Sequence, residues 1–303
     1  MDIQRISPSP RLKKVFDQLL VTLREFIREH RINHDEYRQA VAFMLDTAQK
    51  GEIPLLMDVL LEATVDQVDS DGRTGTASSV EGPFYVANAP EMKSPAVLPH
   101  RTNEPGEVLF LSGSVRSTDG SPLVGAIVDV WQADAEGNYS HFNIPEKEAP
   151  FNLRARVSTD KDGGFEIQTW LPSPYQIPND GPTGAVLQAT GRHPWRPAHV
   201  HFRLSHPGFA TLTTQLFVAD DPWIDSDVVG AVKPPLVIHF DRHQNAAELR
   251  ERGLEGSFRT ARYDFALERA VAKAAKPRSE DNSSRAKRSS RDLASELTAK
   301  PRT

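Results

Sequence analysis

The segment Arg196-Pro197-Ala198-His199-Val200-His201-Phe202 sets two imidazoles two residues apart in a run that otherwise reads as an apolar strand. Side chains alternate across a strand, so His199 and His201 share one face, and Val200 and Phe202 share the other. Two imidazoles buried side by side are costly to desolvate unless something coordinates them, and this spacing makes half of a metal site. The chain has no cysteine. That excludes thiolate-bound zinc, iron–sulfur clusters, disulfide scaffolds and thiol nucleophiles, leaving histidine, carboxylate or tyrosine to complete any metal shell.

No carboxylate follows His201 closely. Phe202, Arg203, Leu204, Ser205 and His206 do not supply the acid that a cupin-type site would want. A ferrous site of two histidines and one carboxylate stays open through a distant Asp129 or Asp220, which no local spacing selects. Two tyrosines are the other oxygen donors of interest: Tyr139 in Glu136-Gly137-Asn138-Tyr139-Ser140, and Tyr175 in Pro172-Ser173-Pro174-Tyr175-Gln176. Both lie in turn-rich loops after strands. A phenol ionises near pH ~10 in water and becomes a ligand only beside a strong Lewis acid such as Fe(III). Taken singly, each is an ordinary loop anchor.

The elements that must hold these groups divide by rhythm. From Pro10 to Asp69 the apolar spacing is helical: Leu12, Val15, Phe16, Leu19, Leu23, Phe26 and Ile27 make one face of a first helix. Asn33 with Glu36 makes a capping box for a second helix that Gly51 should end, and Pro54 opens a third. After Arg73 the pattern changes to short alternating runs at Val108–Val115, Val124–Trp131, Phe165–Trp170, His199–Leu204 and Leu212–Val218, broken by turn signals such as Asp119-Gly120 and Asp162-Gly163. This predicts an antiparallel β-sandwich with a late strand over Ser257–Leu267 and a short polar helix from Asn245 to Gly253. The expected division is a helical domain over 1–72, a β-sandwich catalytic domain over 73–270 and a disordered basic tail over 271–303.

Composition narrows the class of function. In 303 residues, 38% are hydrophobic and 25% charged, and the net charge of −5 offers no basic surface for nucleic acid. The stretch from Lys276 holds eight Lys/Arg against four Asp/Glu, leaving the rest of the chain near −9. Neither a signal-like N-terminus nor a run of about 20 apolar residues is present, so a cytoplasmic protein with no membrane insertion is expected. No glycine-rich phosphate loop occurs.

Taken in order, the motifs resemble a known family. Glu81-Gly82-Pro83-Phe84-Tyr85, Val130-Trp131-Gln132-Ala133-Asp134 running into Gly137-Asn138-Tyr139-Ser140, Asp180-Gly181-Pro182-Thr183-Gly184, Gly191-Arg192-His193-Pro194-Trp195-Arg196 continuing to His201, Leu212-Thr213-Thr214-Gln215 and Asp225-Ser226-Asp227 are similar to the intradiol ring-cleavage dioxygenases. That family includes catechol, chlorocatechol and hydroxyquinol 1,2-dioxygenases. The resemblance implies a mononuclear non-haem Fe(III) held by Tyr139, Tyr175, His199 and His201, with water or hydroxide in a fifth position. Two tyrosinates and one hydroxide neutralise Fe(III) formally, which a buried site tolerates.

It further implies O2-dependent cleavage of a catechol to a cis,cis-muconate without an external reductant, both oxygen atoms being incorporated. Tyr139 would be the axial ligand that leaves and takes the substrate proton, with Tyr175 equatorial. Arg196 would stabilise charge on the ring and Gln215 would stand beside it. Val80, Gly82, Pro83, Phe84 and Val229 would line the pocket. Catechol is the expected substrate; hydroxyquinol, giving 3-hydroxymuconate (maleylacetate), is the alternative that Phe84 and the segment 217–227 suggest. One substituent in such a pocket is worth only about 1–3 kcal/mol, so preference rather than exclusion follows. The resemblance also implies a homodimer through the N-terminal helices, with phospholipid at the interface in some members. A non-catalytic sandwich that merely binds a ligand is the more remote reading.

Overall fold

The computed structural model describes residues 9–142, 144 and 150–270. The tail expected to be disordered lies outside these residues. The described residues fall into two compact units that divide between Lys50 and Gly51. The first holds α1 (Pro10–Glu29) and α2 (His34–Gln49). Ser9 accepts a hydrogen bond from the Leu12 amide to cap α1, and Asn33 with Glu36 forms the expected capping box on α2. On α1, Val15, Phe16, Leu19 and Phe26 are each about half exposed, at 50–54%.

The second unit begins with α3 (Ile53–Met57), a π-helical turn over Asp58–Glu62 and α4 (Ala63–Asp69). These three were expected to belong with the N-terminal helices. They go with the sheets because Leu55 and Val59 pack on an aromatic cluster there, Ala63 packs on the sandwich core, and Asp66 pairs with Lys233 at 2.7 Å.

Fourteen strands follow among the described residues: β1 (Glu91–Lys93), β2 (Ala96–Val97), β3 (Val108–Ser117), β4 (Ile127–Gln132), β5 (Arg154–Ser158), β6 (Gly164–Trp170), β7 (Tyr175–Gln176), β8 (Trp195–Arg196), β9 (His199–Ser205), β10 (Leu212–Val218), β11 (Val237–Ile238), β12 (Asp241–His243), β13 (Phe258–Arg262) and β14 (Phe265–Leu267). One sheet runs β1-β5-β4-β9-β10-β11; the other runs β12-β13-β3-β6-β2, with β14 also on β3. The long ladders are antiparallel, and short parallel pairings add β1, β2, β11, β13 and β14. The late strand is interrupted at Tyr263-Asp264, and the polar helix spans Ala246–Arg252 between its Asn245 cap and Gly253. A helix over Pro182–Ala189 (α5) was not foreseen; the Glu52 carboxylate accepts from the Thr183 amide at its N-terminus.

Between the sheets lies one core. Val128, Val130, Val200, Phe202, Leu204 and Leu216 from the first sheet meet Leu109, Leu111, Val115, Phe165 and Ile167 from the second, all essentially buried. Each such side chain contributes about 1.5–3 kcal/mol. A one-residue slip of β9 would carry His199 and His201 into that core in place of Val200 and Phe202. The burial that builds the sandwich therefore also aims both histidines to the outer face.

Candidate metal centre

Register fixes the first row of the site. His201 on β9 lies opposite Trp131 on β4 and Gln215 on β10, and His199 lies opposite Phe217. The Trp131 ring stacks flat on His201, centroids 4.8 Å apart at 7°. Both histidines are 1% exposed, and their Nε2 atoms face one another at 3.0 Å. His199 Nδ1 donates to the Pro197 carbonyl at 2.7 Å, which leaves its Nε2 as a lone-pair donor. Burial and, for His199, the Arg196 charge hold both rings well below the usual histidine pKa; for His201 the neighbouring His199 adds to burial. Neutral imidazoles with convergent Nε2 atoms are the form that ligates a metal.

Two loops bring the tyrosines to this pair. After β4 the Asp134 carboxylate accepts from the amides of Glu136 and Asn138 and turns the chain. Gly137, at φ +82°, lies so close to Tyr175 that a Cβ there would stand 3.0 Å from the tyrosine Cβ. Tyr139 follows, wholly buried, its ring 6.3 Å from His201. Tyr175 comes from β7, which pairs with β8 so that Tyr175 lies opposite Arg196; its ring is 5.7 Å from His199 and 5.5 Å from Tyr139. The two phenol groups interact, yet the buried Tyr139 oxygen has no hydrogen bond of normal geometry. Burial and the adjacent Tyr175 push Tyr139 well above the ordinary phenol pKa. That is the state a cation would reverse.

Arg196 is 3% exposed and committed on every side. It donates to both Asp227 oxygens at 3.1 and 3.2 Å, to Gln215 Oε1 at 2.9 Å, and lies 3.2 Å from His199 Nε2. Burial disfavours its charge, but Asp227 and Tyr175 outweigh that and raise its pKa. Gln215 in turn donates to the Val80 carbonyl at 2.6 Å.

The predicted pocket residues divide. Phe84 stacks on Tyr139 at 4.4 Å, and Val229 joins the same aromatic cluster with Val59, Leu55 and Leu187. Gly82, at φ +72°, runs past His201. Val80 places its side chain in the sandwich core and brings only its carbonyl to Gln215, and Pro83 is exposed. Sequence reasoning gave no role to Asp227, Arg154, Leu55 or Val59. The first was discoverable in principle, since a buried arginine requires a carboxylate. The carboxylate alternatives do not converge: Asp129 accepts from the Tyr85 hydroxyl at 3.0 Å, and among the described residues no three His, Cys, Asp or Glu side chains form a metal-binding group. Among the described residues, the oxygen-bearing rings in contact with the histidine pair are those of Tyr139 and Tyr175.

Residues 80–269 match the family described as Dioxygenase, and residues 9–77 the family described as Catechol dioxygenase N terminus. The chain belongs to the intradiol ring-cleavage dioxygenases. A chlorocatechol 1,2-dioxygenase of Rhodococcus opacus is 41% identical over 77% of this chain and 91% of its own. A hydroxyquinol 1,2-dioxygenase of Rhizobium sp. is 38% identical over 86% of this chain and 90% of its own. The crystal structure of 3-chlorocatechol 1,2-dioxygenase from Rhodococcus opacus 1CP superposes with a TM-score of 0.78 at 33% identity, covering 87% of this chain and all of the other.

In this dioxygenase a carboxyl also lies within the field of Arg196. Glu62, from the π-helical turn, is half-buried, and burial followed by Asp58 raises its carboxyl to about 7, an effect that Arg196 tempers. Among its described residues, no helix is long and apolar enough to cross a membrane.

Proposed function

We propose that the dioxygenase cleaves catechol to cis,cis-muconate at a ferric ion held by Tyr139, Tyr175, His199 and His201. The observation that carries this reading is the convergence of two neutral, buried imidazoles with two phenols, the buried Tyr139 oxygen having no hydrogen bond of normal geometry. When bound, Fe(III) would ionise the phenols, draw in both diol oxygens and activate the ring toward O2. The remaining work falls to the chain. His199 is oriented by the Pro197 carbonyl, and His201 by the flat Trp131 ring. Arg196, anchored by Asp227, presents a permanent charge to the reacting ring, and Gln215 fixes the guanidinium plane. Phe84, Val59 and Val229 form an apolar wall beside the tyrosines.

Of the two tyrosines, Tyr175 is the one we assign to leave its place and accept the diol proton. It sits on a two-residue strand and is 7% exposed, whereas Tyr139 is sealed beneath Phe84. This reverses the roles the resemblance suggested.

Hydroxyquinol is the second reading. Glu62 favours it: three residues along the chain from Val59 and within the field of Arg196, its half-buried carboxyl would accept from a third ring hydroxyl. The exposed apolar face of α1 supports assembly as a homodimer, and phospholipid is a candidate occupant of the same face.

The test is iron loading followed by oxygen uptake with catechol and with hydroxyquinol, the products identified by mass. Consumption of one O2 per catechol with formation of muconate supports the reading; a loaded protein that leaves both diols intact overturns it. His201→Ala should lose retained iron and lower turnover by more than the roughly 10–100-fold typical of losing a group that only orients a ligand.

A further inference from the structure

Arg154 on β5 is 1% exposed, yet each of its hydrogen bonds seen among the described residues goes to a neutral acceptor. Its donors go to neutral acceptors: Nε to Ser140 Oγ at 2.7 Å, one terminal nitrogen to the Phe84 carbonyl at 2.7 Å, the other to the Ser140 carbonyl at 3.1 Å. Asp129, an acid whose charge favours the guanidinium, is engaged by the Tyr85 hydroxyl. A guanidinium stays charged, and a buried charge lacking a counter-ion is strongly disfavoured. Among the described residues, no acid forms an ion pair with this charge. What lies beside it is Tyr139: the guanidinium carbon is 5.7 Å from its ring centroid.

The same side chain builds the slot that Tyr139 occupies. Ser140, held through its hydroxyl and carbonyl, is the next residue along the chain. Phe84, held through its carbonyl, stacks on the Tyr139 ring at 4.4 Å. The charge and the clamp act on one tyrosine. Tyr175 instead stands against Arg196, whose charge Asp227 already balances.

We propose that Arg154 is the counter-charge of Tyr139 in its metal-bound, anionic form, a positioning residue that makes the two tyrosine ligands electronically unequal. The inference rests on the ferric reading above. A cation beside a phenolate lowers the energy of its donor orbital, so phenolate-to-iron charge transfer from Tyr139 requires more energy than it would without Arg154.

The experiment compares visible spectra of iron-loaded wild type, Arg154→Met, Arg154→Gln and Arg154→Lys, with far-ultraviolet circular dichroism and bound iron measured on each. Removing the charge should move the charge-transfer band to longer wavelength by tens of nanometres in Met and Gln, while Lys, which keeps the charge, should retain the wild-type position. A folded, fully iron-loaded Met or Gln variant with an unshifted band overturns the proposal. In a folded, iron-loaded Lys variant a displaced band contradicts the proposal as well. Wild-type protein that takes up iron without any phenolate band would overturn the ferric tyrosinate reading itself, a failure distinct from that of Arg154.

Discussion

The two tyrosines that face the histidine pair occupy unlike surroundings. Tyr139 is enclosed: Phe84 stacks on its ring, Arg154 clamps the flanking backbone, and no part of it reaches solvent. Tyr175 is carried by a two-residue strand whose ladder partner among the described residues is β8, and it stands against Arg196 of the Arg196–Asp227 pair. A site that must hold a metal through many turnovers while exchanging a ligand in each needs one rigid donor and one releasable donor. Under the proposed ferric reading the enclosure, not the residue type, would make that distinction.

That contrast is most severely strained by exchanging the phenols. Tyr139→Phe should lose most bound iron, whereas Tyr175→Phe should retain more of it and yet lose turnover by about 10²-fold or more through the missing proton acceptor. Equal iron loss in both variants, measured by metal analysis after gel filtration, would erase the difference.

Next in size is the charge on the open side. Arg196→Ala should leave iron bound and lower kcat by roughly 10²–10³-fold, as for loss of a preorganised electrostatic donor. Undiminished turnover would remove its role.

Asp227→Ala leaves Arg196 buried without its carboxylate and should cost about 3–5 kcal/mol of stability. Thermal melting would read this, and a melting point near wild type would show that the pair is not what holds the open side together.

The smallest effect is expected at Glu62. Its carboxyl is raised from 4.5 to about 7 in the fold, so the folded chain binds a proton that the unfolded chain has released. The group's penalty is absent below about pH 4.5, grows through the window up to 7 and is complete above it. After allowance for solvent screening, Glu62→Gln should add about 1 kcal/mol at pH 8 and nothing at pH 4. A stability gain that does not depend on pH would detach Glu62 from this account.

Much of this arrangement was legible in residues alone. Alternation assigned His199 and His201 to one face, and the five principal strands appeared within a few residues of their expected bounds because each pairs an apolar core face with a polar or site-facing one. The capping box at Asn33 and Glu36 and the stop at Gly51 were equally readable. Short edge strands such as Ala96–Val97 and Val237–Ile238 were not, since two residues carry no periodicity and their pairing is set by distant partners. The π-helical turn was hidden because its apolar residues keep helical spacing; only the half-buried Glu62 marks it. Tyr139 and Tyr175 had no local signal of metal binding, and acquired one through the family resemblance. Arg154 was missed because Asn152-Leu153-Arg154-Ala155-Arg156 carries no motif or turn signal, and only the fold shows that it is buried on a strand with neutral acceptors around it.

The most direct test of the central claim is an anaerobic titration of the iron-loaded protein with catechol, followed by visible absorption. The account predicts a broad phenolate band in the ferric protein that moves to longer wavelength as catechol binds, reaching an end point at one catechol per chain. A protein that binds iron without colour, or whose band does not respond to catechol, would contradict the assignment of Tyr139 and Tyr175 as ligands beside the substrate.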